Sequence, residues 1–543
     1  MKKFTPLLAL CLSGTLIFSG CSLNKTSDKA EDNTSTEEST TDTTDTSSSQ
    51  DSSEENGFTA IQPVITTNTI SQMKDDGVSY LMHAQKDTIC LDDESAQYYP
   101  DLNDALVTYS ESALTIFNDN YENSLTYALS DYAEGYMDDG MYYEDTNTIH
   151  MERVDDQVFS FTENSSSFLG GAHGTYGTVG VTFDTQTGKQ LELSDVFNTT
   201  EDVVSVLQTL LEENYPDTQF FDLAGTMQSY ITDPDVYHLC WYMTSEGVTF
   251  VFNPYELASY ADGMQTVQVT FNEHPELFKE DYSASTGAFV TNIGEDMITG
   301  TTLVDIDRDG TSEIITVKEN YDEDMYASAE FTCGDNSYTL DEYYNSMEAK
   351  LVHTEDGRNY IYAFLHEDND YTFLNVLELS DDGINLVGNM EANEPTDFSN
   401  YDDSSNPSWK SYPFVACQGF IFSTRLDALS TYSGTKTYTV SDDGMPTSAS
   451  EFYNIIGGST LTAKKDFSAY EADYSTNELG NECTITSGEK LTFFRTNGTD
   501  TVIFEKEDGT YVGVKYDSSE GESLSTINGE AAEDLLDGIM YAG

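Results

Sequence analysis

The sequence predicts an α+β protein: an N-terminal α+β domain with helices on an antiparallel sheet, then an all-β region and a small C-terminal β-barrel. Apolar residues recur at helical spacing from Leu102 to Leu129, and alternating apolar segments follow between Val179 and Phe252. Later segments also alternate, and Asp-Gly and Asn-Gly pairs separate them. Hydrophobic residues make up 38% of the 543 residues, enough to build several cores.

Residues 1–20 have the pattern of a lipoprotein signal peptide. Two lysines precede an apolar run from Leu7 to Phe18, and Cys21 follows Ser19-Gly20. A cationic start, a short apolar stretch and a small-residue exit are typical of secretion signals. Cys21 resembles the lipobox cysteine that receives a diacylglycerol, so the sequence predicts a lipid anchor on the outer face of the bacterial cell membrane. The alternative is an ordinary cleaved signal with a coincidental cysteine.

The composition of residues 21–57 predicts that they form a disordered acidic tether. They consist almost exclusively of Ser, Thr, Asp, Glu and Asn, and no aromatic residue occurs before Phe58. Such a composition cannot bury enough apolar surface to offset the entropy of ordering. We expect this segment to hold the folded part clear of the lipid headgroups.

The net charge of the chain limits the classes of partner that it can bind. The chain has 98 acidic and 22 basic residues, and its formal net charge is −76. Such a field repels nucleic acid and anionic lipid and attracts divalent cations and basic proteins. The sequence therefore predicts no nucleic-acid partner and membrane contact through the lipid anchor only. Part of the excess charge is explained by solubility alone.

The cysteines give no sign of a disulfide framework or a zinc site. Five remain in the mature body at wide spacings, without a C-x-x-C pair: Cys90, Cys240, Cys333, Cys417 and Cys483. We expect most of them to be small buried hydrophobes.

The first predicted domain spans residues 58–280. A helix is predicted from Glu201 to Tyr215, with Thr199 or Thr200 as its N-cap. Strands are predicted at Val179–Phe183 and Val248–Phe252, and Asp184 to Lys189 has the composition of a hairpin turn.

Three ordered motifs in this domain carry a family resemblance. They are G-G-A-H at Gly170 to His173, V-T-F-D-T-Q-T-G-K-Q-L-E-L-S-D-V-F at Val181 to Phe197, and F-N-P-Y-E-L-A-S-Y-A-D-G at Phe252 to Gly263. Together they resemble the extracytoplasmic domain shared by RsiV-type anti-sigma factors and PdaC-type peptidoglycan deacetylases. In the RsiV-type relatives this domain binds lysozyme. The sequence lacks a recognisable deacetylase domain, so the resemblance does not imply deacetylase chemistry.

The same motifs supply candidate ligand-binding residues: His173, Tyr176, Tyr255 and Tyr260. Tyrosine is favoured at protein interfaces, so a Tyr-rich surface corner predicts a protein-binding patch. A structural interpretation competes with it, in which His173 is a hydrogen-bonded residue at a strand end and the tyrosines cover the core.

The next region, residues 286–456, contains a calcium-type loop. Asp305, Asp307 and Asp309 alternate, a glycine follows, and Thr311 and Glu313 complete the pattern. Calcium takes about six to eight oxygen ligands, here the four carboxylates and the Thr311 carbonyl. The strand-like flanks resemble calcium loops of propeller-repeat proteins. A solvated acidic hairpin is the alternative.

Residues 457–543 predict a small β-barrel. Short apolar runs are separated by turns at Asn497-Gly498 and Asp508-Gly509. The region resembles bacterial SH3-like modules, which commonly bind wall components; a capping β-domain is the alternative.

Catalytic motifs are missing from the sequence, which contains no G-x-S-x-G, H-E-x-x-H or P-loop. We therefore predict no catalytic residues and a surface-tethered, non-enzymatic binding lipoprotein. Its ligand would be a cell-envelope component or a basic protein such as lysozyme. The alternatives are a structural or envelope-maintenance module that binds peptidoglycan, and a divergent envelope hydrolase.

Overall fold

The computed structural model divides the chain into two units, Met1–Gly57 and Phe58–Gly543. It describes residues 60–541, apart from 138–139, 235, 284–286, 294–300, 306–310, 323–324, 369–370, 381–382, 399–406 and 519–524. All described residues belong to the second unit. The predicted signal peptide and tether, including Cys21, lie outside them.

The first sheet contains seven strands in the described part of the chain, in the order β18-β19-β1-β2-β3-β4-β5. Their bounds are Pro63–Met73 (β1), Tyr80–Leu91 (β2), Tyr143–Val154 (β3), Val158–Phe168 (β4), Thr175–Asp184 (β5), Thr396–Asp397 (β18) and Ser408–Ser411 (β19). The sheet is antiparallel, as predicted, except at one pair, because β2 and β3 are parallel. A parallel pair needs a crossover connection, and helix α2 (Pro100–Glu134) supplies it.

Helix α2 packs along the first sheet. Proline is its first residue, and the chain leaves it at Gly135 in the left-handed conformation with φ of 74°. Leu102, Leu106 and Tyr109 pack into one core of the sheet, and Phe117 and Tyr121 pack into a second. A short helix, α1 (Ser95–Tyr98), precedes it.

A smaller three-stranded sheet follows in the described chain. Its strands are β6 (Cys240–Met243), β7 (Gly247–Phe252) and β8 (Gln265–Thr270), and they share a core with α3 (Leu193–Val196), α4 (Thr200–Asn214) and α5 (Leu223–Thr232). Of the two predicted N-cap candidates, Thr199 caps α4, because its hydroxyl accepts the Asp202 N–H at 3.2 Å. Short 3-10 helices lie at Tyr260–Asp262, Pro275–Leu277 and Glu280–Tyr282.

The predicted turn after β5 is confirmed. Both the backbone conformation and the close packing at Gly188 require glycine there. Gly188 has a φ of 63°, and a Cβ at this position would lie 2.2 Å from the Asp101 carbonyl oxygen. Only glycine combines that conformation with so close an approach to the start of α2.

Two sheets form the middle of the chain. The five-stranded one, as far as the chain is described, contains β9 (Phe289–Asn292), β14 (Ser346–His353), β15 (Asn359–His366), β16 (Thr372–Ser380) and β17 (Gly383–Glu391). The four-stranded one, with the same scope, contains β10 (Thr301–Val304), β11 (Glu313–Asp322), β12 (Met325–Cys333) and β13 (Asn336–Leu340). Phe331 and Leu351 belong to the core that they share.

The C-terminal strands differ from the predicted small barrel. In the described residues, eleven strands form one sheet: β20 (Gln418–Asp427), β21 (Thr431–Val440), β22 (Pro446–Thr447), β23 (Tyr453–Ile456), β24 (Thr460–Ala463), β25 (Phe467–Ala472), β26 (Leu479–Ile485), β27 (Lys490–Thr496), β28 (Thr501–Lys506), β29 (Tyr511–Lys515) and β32 (Leu536–Asp537). The strands do not close into a barrel there, because β20 and β26, at the two ends of the sheet, do not pair with each other. A hairpin of β30 (Thr526–Ile527) and β31 (Glu530–Ala531), with helix α6 (Ala532–Leu535), lies beside it.

The α+β class is confirmed, with few helices lying on several sheets. The predicted regions share sheets: β19, from the middle region, pairs with β1, and β20 to β23 pair into the C-terminal sheet. No helix among the described residues is long and apolar enough to span a bilayer.

Candidate functional site

The four predicted ligand-binding residues lie together. His173 is in the loop before β5, Tyr176 is on β5, and Tyr255 and Tyr260 are in the segment between β7 and β8. Two segments that are about 80 residues apart in sequence thus meet at one place, which we call the aromatic corner. The corner consists of these four side chains.

Tyr260 is the centre of the aromatic corner. Its ring stacks on the His173 imidazole with centroids 4.2 Å apart, and it meets Tyr176 edge to face and Tyr255 at a tilt, each at 5.6 Å. Its hydroxyl donates to the Gly174 carbonyl at 3.0 Å. Such ring pairs contribute about 0.5–1.5 kcal/mol beyond their burial. Tyr260 therefore contacts each of the other three rings.

The corner is open to solvent. Tyr255 is 53% exposed and His173 is exposed, whereas Tyr176 and Tyr260 are half-buried. His173 and Tyr255 are therefore the two rings of the corner that are most accessible from solvent. This arrangement of flat rings, hydroxyls and an imidazole suits recognition of a macromolecular surface.

Tyr255 adopts an unusual backbone conformation. Its φ is 72°, a region that favours glycine and asparagine. It follows Pro254 in a turn that the Glu256 N–H closes by donating to the Asn253 carbonyl at 3.0 Å. A proline followed by a residue of positive φ is the pattern of a type II turn. Strained residues of this kind concentrate at functional positions.

Asn253 attaches the turn to the first sheet. Its side-chain amide accepts the Thr178 N–H at 2.8 Å and donates to the Thr178 carbonyl at 3.1 Å. Thr178 belongs to β5, which is the edge strand of the sheet. The amide therefore takes the hydrogen-bonding place of a neighbouring strand residue and sets the distance between the two halves of the corner.

Glu256 supports the turn from the inside. Its carboxylate accepts the Asn253 N–H at 2.9 Å and the hydroxyl proton of Tyr230. Burial raises the pKa of Glu256 above its usual value. Burial and the neighbouring Glu256 charge also raise the pKa of Tyr230. Both groups therefore act as fixed hydrogen-bonding partners in the core of the smaller sheet.

The smaller sheet also contacts β5 directly. The Gly180 N–H donates to the Cys240 sulfur at 3.4 Å, and the Cys240 thiol lies 3.4 Å from the Thr178 carbonyl. A Cβ at Gly180 would lie 2.0 Å from the Trp241 carbonyl oxygen, so only glycine admits this crossing. Burial raises the pKa of the Cys240 thiol to about 12, so this cysteine is an inert packing residue.

Sequence reasoning missed the supporting residues Asn253, Glu256 and Tyr230. Tyr230 lies on α5, a helix that the periodicity analysis did not detect. The Asn-Pro pair at residues 253–254 is a turn signal that could have indicated the role of Asn253.

The predicted calcium ligands are only partly described. Asp305 is 2% exposed, and its carboxylate accepts a hydrogen bond from the Asn272 amide at 2.5 Å. Thr311 and Glu313 are described, whereas Asp307 and Asp309 lie outside the described residues. Across the described residues, no group of three His, Cys, Asp or Glu side chains has a metal-binding arrangement. The calcium site stays a prediction.

Residues 194–272 match a family model described as "Protein of unknown function (DUF3298)". These residues form a DUF3298 domain. It is the domain shared with RsiV-type and PdaC-type proteins, so this part of the predicted resemblance is confirmed. Tyr255 and Tyr260 lie within the DUF3298 domain, and His173 and Tyr176 precede it.

Two crystal structures of DUF3298-family proteins are similar to the chain. A Bacteroides fragilis NCTC 9343 protein has 17% identity and a TM-score of 0.31, covering 41% of this chain and 95% of its own. A Pseudomonas aeruginosa PAO1 protein has 17% identity and a TM-score of 0.28, covering 42% of this chain and 98% of its own. No curated protein matches the chain.

Proposed function

We propose that this protein is a non-enzymatic binding protein of the bacterial envelope whose aromatic corner recognises a basic protein of the lysozyme class. The observation that carries the proposal is the assembly of His173, Tyr176, Tyr255 and Tyr260 into one cluster, in which His173 and Tyr255 are exposed. Exposed tyrosines supply large contact areas at a small entropic cost.

Charge supports a basic partner. The net charge of −76 attracts cationic proteins over the distance of the screening length, about 8 Å at physiological salt. Such attraction speeds association and acts on any cationic protein. The rings of the aromatic corner would add the shape-specific contacts that charge alone does not supply.

Lysozyme binding is tested at two salt concentrations and with one variant of the aromatic corner. The full chain is titrated with lysozyme by calorimetry at 0.15 M and 0.5 M NaCl. We expect a stoichiometric complex that persists at 0.5 M, because a desolvated interface core is screened far less than diffuse charge. We expect Tyr255→Asn to weaken the complex about tenfold, as loss of an aromatic anchor does.

The matched control is Tyr343→Ala, which removes an exposed tyrosine (59%) outside the aromatic corner and the DUF3298 domain. It should bind lysozyme as the unchanged chain does. Complete loss of binding at 0.5 M NaCl would reduce the interaction to diffuse charge. Unchanged affinity of Tyr255→Asn would exclude the aromatic corner as the binding surface.

We further propose that Cys21 carries the lipid that holds the protein on the outer face of the cell membrane. The motif Ser19-Gly20-Cys21 after an apolar run supports this. Cys21→Ala should move the protein from washed membranes into the soluble fraction, since the tether offers no other apolar anchor. An unchanged amount in the membrane fraction would contradict lipid anchoring at this residue.

A further inference from the structure

A second aromatic surface lies on the C-terminal sheet. Tyr474 is in the turn between β25 and β26, Tyr511 begins β29, and Phe494 is on β27. Ring centroids are 5.6 Å apart between Tyr474 and Tyr511 and 4.7 Å apart between Tyr511 and Phe494. We call these three rings the aromatic row. It is separate from the aromatic corner in sequence and does not depend on the function proposed above.

The row lies on the side of the sheet that faces away from the core. The neighbouring residues Phe493 and Val512 point the other way and are buried with Phe504 and Val514. Tyr474 is 60% exposed, and Phe494 and Tyr511 are half-buried. The three rings thus lie on the solvent-facing side of the sheet, tilted by 31° between Tyr474 and Tyr511 and by 52° between Tyr511 and Phe494.

Arg495 places a positive charge beside the row, in contact with both Phe494 and Tyr474. Its guanidinium lies over the Phe494 ring, 4.7 Å from the centroid. It donates to the Asn454 side-chain oxygen at 2.8 Å, to the Tyr474 carbonyl at 2.8 Å and to the Asn477 side-chain oxygen at 2.9 Å. All three acceptors are neutral, so they orient the guanidinium without neutralising it. In a chain with 98 acidic residues, Arg495 thus keeps its positive charge available to an anionic ligand.

The turn that carries Tyr474 is well ordered by its own contacts. The Asp473 carboxylate accepts the N–H groups of Ser475 and Thr476 at 2.8 and 3.0 Å and the Ser475 hydroxyl at 2.6 Å. Asn477 completes the turn with a φ of 61°. Because these contacts form within the turn, Tyr474 and Arg495 are positioned before any ligand arrives, which lowers the entropic cost of binding.

We propose that the aromatic row and Arg495 bind a glycan chain that carries a carboxylate. The C–H bonds on one face of a sugar ring carry slight positive charge and pack against the negative face of an aromatic ring. The planar guanidinium is suited to a carboxylate. A protein partner is the competing class of ligand and is one outcome of the test below.

The test compares two soluble probes with related backbones. The first is a tetrasaccharide of alternating N-acetylglucosamine and N-acetylmuramic acid, which carries lactyl carboxylates. The second is chitotetraose, which is neutral. With the full chain, we expect the muramic probe to bind more tightly than chitotetraose. Tyr474→Ala should weaken the binding of both probes about three- to tenfold, which is the range expected for the loss of one aromatic contact.

Arg495→Gln separates the carboxylate contact from the stacking. It should weaken binding of the muramic probe about tenfold and binding of chitotetraose clearly less, since only the first probe carries a partner for the guanidinium. Loss of the hydrogen bonds to the Tyr474 carbonyl and Asn477 affects both probes. The matched control, Tyr343→Ala, should change neither affinity. These measurements are independent of the Tyr255→Asn result, so either proposal can fail alone.

Several results would overturn the glycan proposal. They are equal binding of the two probes, equal loss for both with Arg495→Gln, unchanged binding of Tyr474→Ala, and no binding of either probe. Tighter binding of poly(glycerol phosphate) than of the muramic probe would assign Arg495 to a phosphate polymer instead. Capture of a protein with neither probe bound would make the row a protein interface.

Discussion

Tyr255 combines an exposed ring with a backbone conformation that tyrosine rarely adopts. Its φ of 72° costs about 1–2 kcal/mol relative to the right-handed region, because the Cβ approaches the following carbonyl. Glycine or asparagine would satisfy the same turn at lower cost. A tyrosine at this position is therefore not explained by the turn, but it is explained if its ring contacts a ligand.

We expect Tyr255→Asn to leave the fold as stable as before or to raise the free energy of unfolding by up to about 1 kcal/mol. Relief of the backbone strain favours the variant, while loss of the contact with Tyr260 partly offsets the gain. Urea unfolding measures the difference. A loss greater than about 1 kcal/mol would mean that the ring is needed for the fold itself.

Asp145 makes the stability depend on pH. It lies on β3, and burial raises its pKa from 3.8 to about 6, although Lys86 opposes the shift. Lys86 itself pairs with Glu163 at 2.6 Å. Because the folded-state pKa is raised, the folded state holds this proton more tightly. The contribution of this proton to the free energy of unfolding is fully present below about pH 4 and is lost as the pH rises through about 6.

Asp145→Asn removes this ionisation. We expect the variant to gain stability over the unchanged chain as the pH rises from 4 to 7, by about 2 kcal/mol. Urea unfolding at both pH values measures the gain, and the exposed substitution Asp119→Asn on α2 is the matched control. A difference that does not change with pH would exclude Asp145 as the source.

Elements defined by local signals could be predicted from the sequence. The helix α4 and its Thr199 cap, the strands at 179–183 and 248–252, and the turn at Gly188 all agree with the structure. Each depends on residues within a few positions of one another. Helix α5 was missed, and so was its hydrogen bond from Tyr230 to Glu256, which joins residues distant in sequence.

The strands flanking the predicted calcium loop are also confirmed, as β10 and β11. We expect 1 mM calcium to raise the melting temperature, because a ligand at a hundredfold excess over its Kd stabilises the folded state by about 2.7 kcal/mol. Asp305→Asn should abolish this rise. Its carboxylate is buried beside Asn272 at the start of the loop.

Two controls distinguish specific calcium binding from general charge screening. Magnesium at the same concentration should give a smaller rise, because it prefers a stricter octahedral geometry. Asp341→Asn, at an exposed position, should retain the full calcium effect. Equal rises in Asp305→Asn and the unchanged chain would mean that no calcium binds at this loop.

The arrangement of the whole molecule could not be predicted, because strand pairing over long sequence distances leaves no local signal. Ile65 on β1 lies opposite Ser411 on β19. The same separation hides the aromatic row, which joins Tyr474, Phe494 and Tyr511 from three elements. The four residues of the aromatic corner were candidates because of their motifs, but nothing in the sequence predicted that their two segments meet.

The shared first sheet affects how the chain can be divided. Strand β19 covers the edge of β1, and Val415 packs into the same core as Ile61 and Ile65. The Gln62 side chain donates to the Pro413 carbonyl at 3.2 Å. A fragment of residues 58–280 therefore loses two strands, β18 and β19, together with part of a core and a hydrogen bond, and it exposes an unpaired edge.

We expect fragment 58–280 to exchange its β2 amide hydrogens faster than the full chain does, because loss of β19 weakens the sheet beyond the strand that it touches. Fragment 58–417, which retains β19 and Val415, is the control and should protect β2 better. Hydrogen exchange followed by mass spectrometry measures both. Equal protection of β2 in the two fragments would show that residues 58–280 form an independent domain and that β19 only decorates its edge.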